Sequence, residues 1–140
     1  EWHRMIDVNV NALYHVTRAV LPGMVARGRG RVVVLGSIAG RSAFAGGACY
    51  AATKHFVMGF AESLLMEVRD AGVQVSVVSP GSVATAFSGR QGASDASPAE
   101  RPAGALVADD VADAVAYVLA TPAQVLVHRL EVRVLQARKR

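Results

Sequence analysis

Two side chains at helical spacing carry the clearest chemical possibility in the sequence. Tyr50 and Lys54 are four residues apart, so on a helix the phenol and the ammonium group project from one face, one turn apart. A positive charge beside a phenol favours the phenolate and lowers the phenol's pKa from about 10. That suits a general acid/base near neutral pH. The same spacing is also common in plain surface packing, so both interpretations remain open.

Further polar residues could join this pair at one edge of a sheet. Ser37 directly follows an apolar run, and Ser79-Pro80-Gly81 follows another, with Thr85 close behind. Open α/β sheets place active sites at the carboxyl edge of their parallel strands. Asn9 lies in the middle of a predicted helix, where asparagine is unfavourable. Alternatively, Ser37 caps a turn, Asn9 makes a helix–helix contact, and Thr85 only begins a loop.

The elements that would position these residues alternate between helix and strand. Helical periodicity predicts three helices, over residues 2–28, 48–71 and 111–120. β-branched runs predict three strands, over residues 31–35, 73–78 and from 128 onward. Pro22 is expected to end or kink the first helix, and Gly72 to cap the second in a left-handed conformation. Long helices between strands favour parallel pairing, so we expect an α/β fold with a doubly wound, Rossmann-like parallel sheet.

The pattern also predicts how these elements are buried. The first strand is expected to be covered on both faces, and the last strand is expected to have one solvent-exposed face. The first helix should bury one apolar stripe, made of Ile6, Val10, Leu13, Val20 and Met24, with Thr17 between them. The second helix should bury another, made of Val57, Phe60, Ala61, Leu64, Leu65 and Val68. Three strands leave the edge beside residues 31–35 open, so either a partner covers that edge or the first half of the fold is missing.

The small and polar residues between the second strand and the third helix predict a loop. Residues 86–108 lack an apolar period, and long loops in compact domains are usually lids or binding segments. We therefore expect a substrate lid over residues 86–108. Arg41 lies in the loop after Ser37, where it either meets an acidic substrate or is an exposed loop arginine.

Composition limits the class of protein. The chain has 140 residues, 52% of them hydrophobic and 19% charged, which indicates one globular domain. No apolar run is long enough for a membrane span, and no secretory leader is present, so we expect a cytoplasmic protein without membrane partners. The net charge of +4 comes from residues 129–140, which argues against a nucleic-acid surface. Cys49 and the four histidines offer no metal-ligand spacing, so Cys49 is expected in the core and the histidines at the surface.

Four segments together resemble the short-chain dehydrogenase/reductase family. They follow the family's order and spacing: Ile6-Asp7-Val8-Asn9, Gly36-Ser37-Ile38-Ala39-Gly40, Tyr50-x-x-x-Lys54 and Pro80-Gly81-Ser82-Val83-Ala84-Thr85. The resemblance implies that Tyr50 gives the proton to a substrate carbonyl and that Ser37 hydrogen-bonds the same oxygen. It implies that Lys54 binds the nicotinamide ribose, and that Asn9 holds a water linking Lys54 to solvent.

The resemblance also implies a cofactor, a substrate class and partners. The tail from residue 110 is similar to NADP-dependent hydroxy-acid and serine dehydrogenases, which implies NADP, with NAD also possible. The implied cofactor-binding residues are Asn9, Tyr50, Lys54, Pro80, Gly81, Val83 and Thr85. The substrate would be a small carbonyl or alcohol, and the chain would form a homo-oligomer, a dimer or tetramer, through its two long helices.

One departure from the family is large. Its members open with a strand and a glycine-rich turn that holds the cofactor's diphosphate at a helix N-terminus. Gly28 and Gly30 precede a strand, so they do not replace that turn. We therefore interpret residues 1–140 as the C-terminal catalytic portion of a single Rossmann-type domain. Two functions follow: an oxidoreductase seen as an incomplete chain, or a truncated, non-catalytic paralogue that acts as a dimerisation or interaction module.

Overall fold

Three parallel strands form the sheet in the computed structural model, which describes residues 2–85 and 104–135. The strands are β1 (Gly30–Leu35), β2 (Val73–Pro80) and β3 (Arg129–Val132), in that spatial order. The α-helices are α1 (Trp2–Ile6), α2 (Ala12–Ala26), α3 (Ala48–Val68) and α4 (Ala108–Ala120). A π-helical turn spans Asp7–Asn11, and 3₁₀ turns span Ile38–Gly40 and Arg69–Ala71. The predicted α/β class with a parallel sheet flanked by helices is confirmed.

The register brings the carboxyl ends of all three strands to one edge. Gly30 pairs with Val73 at the start of the β1–β2 ladder, and Pro80 pairs with Val132 at the end of the β2–β3 ladder. Two backbone hydrogen bonds continue these ladders past the strands, from Gly36 N–H to Val78 O and from Gly81 N–H to Val132 O, each 2.8 Å long. The segments after β1 and β2 therefore leave the sheet side by side.

The core lies between β2 and α3. β2 is the central strand, and its valines at 73, 75, 77 and 78 are at most 1% exposed. Four of the six residues predicted for the buried face of α3 are buried: Val57, Ala61, Leu64 and Val68. Phe60 and Leu65 are half-buried and pack against the same cluster. Ala51, Thr53 and Met58 are also buried, although they were not in the predicted set.

The first helix, which we define as α1, the π turn and α2 together, continues to Ala26, close to its predicted end near residue 28. Of the two expectations for Pro22, an end to the helix there is therefore wrong. Pro22 is exposed, so water can satisfy the carbonyl group that the missing N–H leaves without a helical partner. The predicted apolar stripe is covered only in part: Ile6, Val10, Leu13 and Met24 are half-buried and Val20 is 41% exposed. Thr17 alone among the described residues of this helix is buried.

β1 is less buried than its sequence predicts. Only Val34 is buried, and Leu35 is 52% exposed. The expectation of cover on both faces was wrong because, within residues 2–85 and 104–135, β1 has a neighbouring strand on one side only. The predicted open edge is therefore present in the described sheet. The solvent-exposed face predicted for β3 is confirmed, since Arg129 and Glu131 are exposed while Leu130 and Val132 are half-buried.

The C-terminal end of the predicted lid is structured. Residues 86–103 lie outside the described part of the chain, but Leu106 and Val107 are buried, and α4 begins at Ala108 rather than at residue 111. The earlier start has a local cause: a carboxylate oxygen of Asp110 accepts a 2.9 Å hydrogen bond from Val107 N–H and caps the helix.

Two further features complete the described fold. Gly72 ends the α3 region with φ +76°, the left-handed conformation predicted for it. None of the helices in residues 2–85 and 104–135 has the length and apolar character that crossing a membrane requires.

Candidate active site

A π-helical turn positions Asn9. The Asn9 amide Nδ2 donates a 3.1 Å hydrogen bond to Thr53 Oγ1, and that hydroxyl in turn donates to Tyr50 O at 2.8 Å. Thr53 is 2% exposed, so this link between the first helix and α3 is shielded from water. Asn9 therefore makes a helix–helix contact, directed at the turn of α3 that carries Tyr50. π turns are rare and frequently mark functional sites.

Lys54 and Tyr50 lie together on the first turns of α3. Lys54 Nζ lies 5.8 Å from the centroid of the Tyr50 ring, as their spacing predicts, and donates a 3.0 Å hydrogen bond to Leu35 O at the end of β1. Burial lowers the pKa of Lys54, because an ammonium group is less stable away from water. The cation is thus held between the sheet edge and the phenol ring.

Ser37 is buried where the chain leaves β1. Its Oγ accepts a 3.1 Å hydrogen bond from Ala39 N–H, so the side chain caps the 3₁₀ turn Ile38–Gly40, as one of the two interpretations of this serine expects. An acceptor hydroxyl still carries its own hydrogen to donate. Capping and contact with a substrate oxygen are therefore compatible for Ser37.

Gly40 allows this turn to pack directly on α3. A Cβ at Gly40 would lie 2.7 Å from Lys54 O and 2.9 Å from Met58 Cγ, closer than any side chain tolerates. Gly36 is enclosed in the same way, because a Cβ there would lie 2.7 Å from Ser79 Oγ. The glycines on either side of Ser37 thus hold its turn against the turn of α3 that carries Lys54.

The segment after β2 reaches the same edge and is fixed there by two contacts. Gly81 N–H is bonded to Val132 O, and Val83 forms a parallel bridge with Leu106. Two 2.8 Å hydrogen bonds make that bridge, from Ala84 N–H to Leu106 O and from Leu106 N–H to Ser82 O. The structure therefore brings the predicted cofactor segment, Pro80 to Thr85, to the edge that also carries Ser37 and Lys54.

Thr53, which links Asn9 to Tyr50, was not among the predicted site residues. The sequence could have indicated this role, because Thr53 is a polar residue within the otherwise apolar buried face of α3. Cys49, expected in the core, is half-buried. His3, His15 and His55 are exposed as predicted, whereas His128 is half-buried with its Nδ1 3.3 Å from Val75 O.

Comparisons with known proteins identify the family of this chain. Residues 1–96 match the family model described as short chain dehydrogenase. The chain is 42% identical to sulfoacetaldehyde reductase 2 of Chromohalobacter salexigens and 41% identical to NADP-dependent 3-hydroxy acid dehydrogenase YdfG of Escherichia coli, with 94% of this chain and 54% of each relative covered.

A solved structure gives the same result in three dimensions. The closed form of a serine dehydrogenase complexed with NADP+ superposes with a TM-score of 0.85 and 37% identity, over 99% of this chain and 58% of that one. The chain thus spans about half the length of the curated relatives it matches. The family match, which covers more than half of this sequence, shows that the chain belongs to the short-chain dehydrogenase family.

Proposed function

We propose that this chain is the catalytic portion of an NADP-dependent oxidoreductase that interconverts a small carbonyl compound and its secondary alcohol, with Tyr50 as the acid/base. The observation that carries the proposal is the pairing of Tyr50 with Lys54 on α3, with Lys54 Nζ bonded to Leu35 O at the carboxyl end of β1. Active sites of open α/β sheets form at this edge. The relatives named above are reductases and dehydrogenases, which supports the same chemistry.

The proposed proton transfer uses Tyr50, Ser37 and Lys54. In the reduction direction, the Tyr50 hydroxyl gives its proton to the substrate's carbonyl oxygen while the Ser37 hydroxyl donates a hydrogen bond to the same oxygen. The Lys54 ammonium near the ring then stabilises the phenolate that Tyr50 becomes. In the oxidation direction, the phenolate takes the proton back from the alcohol.

The residues at the sheet edge suit the nicotinamide end of NADP(H), which supplies or accepts the hydride when bound. Lys54 offers an ammonium group with three donors, of which Leu35 O takes one. Gly81, Val83 and Thr85 follow β2 beside it. Gly28 and Gly30 precede β1 rather than follow a strand, and the chain spans about half the length of its relatives. We therefore propose that residues outside these 140 hold the diphosphate. The substrate lid over residues 86–108 stays a prediction, and residues 86–103 of it lie outside the described part of the chain.

A second candidate function comes from the first helix. Three large apolar residues of this helix, Trp2, Val8 and Val16, are 56%, 62% and 60% exposed, and they are the observation that favours an interaction surface there. On this basis the chain would be a non-catalytic module that pairs with another subunit through the first helix and α3. Homo-oligomerisation through the same helices is also compatible with the enzyme.

A fluorescence titration with NADPH separates the two functions. The enzyme proposal expects saturable binding that Lys54→Ala abolishes and that Arg129→Ala, a matched cation outside the site, leaves unchanged. Circular dichroism would establish that all three proteins are folded. Absence of NADPH binding by the folded wild-type chain would contradict cofactor binding by these 140 residues alone and favour the interaction module.

Alcohol oxidation tests the role of Tyr50. Tyr50→Phe should reduce kcat by about 100-fold or more, because general acid/base groups typically contribute 10²–10⁴-fold. Tyr117→Phe, at a position that is 59% exposed on α4, is the matched control and should retain activity. Equal activity in both variants would contradict the role of Tyr50.

A further inference from the structure

Two arginines converge on one carboxylate at the carboxyl edge of the sheet. Arg133 Nε donates a hydrogen bond to Glu131 Oε1, and Arg41 Nη1 lies 4.0 Å from Glu131 Oε2. Arg41 follows β1, while Glu131 and Arg133 lie in and after β3, so the contact spans the end of β2. We call these three residues the Arg41–Glu131–Arg133 cluster.

The cluster borders the candidate active site. Glu131 pairs in register with Ser79, whose Oγ lies 3.8 Å from the sulfur of Met58, so Glu131 is on the face of the sheet that α3 covers. Arg41 ends the 3₁₀ turn that Ser37 begins. Arg133 Cα lies 3.8 Å from the position that a Gly81 Cβ would occupy. Both arginines are thus adjacent in the chain or in space to the proposed catalytic and cofactor segments.

The charges of the cluster do not balance. Two guanidinium groups share one carboxylate, which leaves one net positive charge, and the arginine side chains are 66% and 56% exposed. The described contact of Arg133 uses Nε, whereas its two terminal nitrogens carry four more N–H groups in the planar arrangement that matches a carboxylate. On the same face, Arg129 and Glu62 form a one-to-one pair with a distance of 2.6 Å. The excess positive charge therefore lies at the end of β3 beside the site, whereas Arg129 on the same strand is balanced by Glu62.

We propose that Arg41 and Arg133 bind the anionic group, a carboxylate or a sulfonate, of the substrate, while Glu131 orients the two guanidiniums. This inference rests on the proposed function, because it takes the bound anion to be the enzyme's substrate. Hydroxy acids, serine and sulfoacetaldehyde, which appear in the names of the relatives and structural neighbours, all carry such a group. Guanidinium binds both oxyanions through paired hydrogen bonds.

Steady-state kinetics with three secondary alcohols tests the proposal in the protein purified as it occurs in the cell. The alcohols are 3-hydroxybutanoate, 2-hydroxypropane-1-sulfonate and the neutral 1,3-butanediol. Arg133→Gln should raise KM for both anions about tenfold with little change in kcat, since a charge-assisted hydrogen bond contributes roughly one tenfold step in affinity. Arg41→Gln should act in the same direction, and KM for the diol should not change in either variant.

Arg129→Gln is the matched control, because it removes an arginine from the same face of β3 outside the cluster. It should leave the KM of all three alcohols unchanged. Added salt should raise the KM of the two anions and not that of the diol, because exposed charges are screened. Equal effects of Arg129→Gln and Arg133→Gln would overturn the proposal, since they would indicate general surface charge.

A binding measurement distinguishes failure of this proposal from failure of the proposed function. In protein with ¹⁵N-labelled arginine, 3-hydroxybutanoate should saturably shift the Nε–H signal that Arg133→Gln removes. If this shift occurs and no alcohol is oxidised, the anion site is supported and the proposed function is wrong. If the diol and the acids are oxidised with equal KM and the signal does not shift, the anion site is wrong and the proposed function is supported. Neither shift nor turnover would contradict both.

Discussion

The two long helices that carry the candidate site differ in how much of their apolar surface is covered. α3 buries seven residues: Ala51, Thr53, Val57, Met58, Ala61, Leu64 and Val68. The first helix has apolar residues at the same helical spacing, yet Thr17 is its one buried residue in the described structure. Periodicity therefore predicts a helix and the direction of its apolar face, but the neighbouring elements determine whether that face is covered.

Introducing a charge into each helix should give the largest difference in stability between the two. Ala61 is fully buried on α3, so Ala61→Asp should lower the free energy of unfolding by about 3–5 kcal/mol, the cost of an unpaired buried charge. Val16→Asp, at a 60% exposed position on the first helix, should change it by less than about 0.5 kcal/mol. Urea denaturation followed by circular dichroism measures both. A comparable loss in Val16→Asp would mean that this face of the first helix is covered in solution.

Adding a methyl group at Gly40, with Gly59 as the control, should show how closely the 3₁₀ turn packs on α3. Gly40→Ala should destabilise the fold by about 1–3 kcal/mol, because the new Cβ would lie 2.7 Å from Lys54 O. Gly59→Ala, on the exposed side of α3 with no atom within 4 Å, should stabilise it by about 0.5–1 kcal/mol. Thermal or urea denaturation gives the sign of each change. A stabilising Gly40→Ala would show that the turn is farther from α3 than described.

The hydrogen bond between Asn9 and Thr53 is the polar link between the two helices. A double-mutant cycle with Asn9→Ala and Thr53→Val should give a coupling of about 0.5–1.5 kcal/mol in unfolding free energy. Asn11→Ala is the matched control, because the Asn11 amide bonds Asp7 within its own helix. Its coupling with Thr53→Val should be close to zero. Equal coupling for the two asparagines would contradict a specific link.

The smallest effect concerns Lys54 and depends on pH. Burial lowers the pKa of Lys54 below 10.5 in the folded state, so the unfolded chain binds more protons between that lowered pKa and 10.5. Stability should therefore rise with pH across this window, as the cost of burying the ammonium group disappears. Lys54→Met lacks this contribution. Urea denaturation at a series of alkaline pH values should show that the unfolding free energy of the wild type increases relative to that of Lys54→Met. A difference that stays constant with pH would contradict burial of the cation.

Local geometry explains what the sequence could predict at the candidate site. The position of Lys54 near the Tyr50 ring follows from helical spacing, which needs no knowledge of the rest of the fold. The placement of Ser37 and Gly81 at one edge follows from two strands being parallel. The glycine at 72 was also predictable, because a left-handed residue after a helix is a local requirement.

Contacts between elements explain the remainder. The partner of Lys54, Leu35 O, depends on how α3 packs against β1, and no spacing in the sequence encodes that packing. The π turn at Asn9 is stabilised by Thr53, 44 residues away. Leu106 and Val107 lie in a segment with the composition of a loop, yet they are buried because Leu106 pairs with Val83. In each case the decisive interaction joins residues that are distant in the chain.

The bridge between Val83 and Leu106 has a consequence for how members of this family could change during evolution. It holds the end of the segment after β2 and the start of the segment before α4 side by side through two backbone hydrogen bonds. Because doubling the length of a flexible connection costs only about 0.6 kcal/mol in closure entropy, insertions there are thermodynamically inexpensive. Segments inserted between Val83 and Leu106 could therefore vary during evolution while the three-stranded sheet and its flanking helices are inherited unchanged.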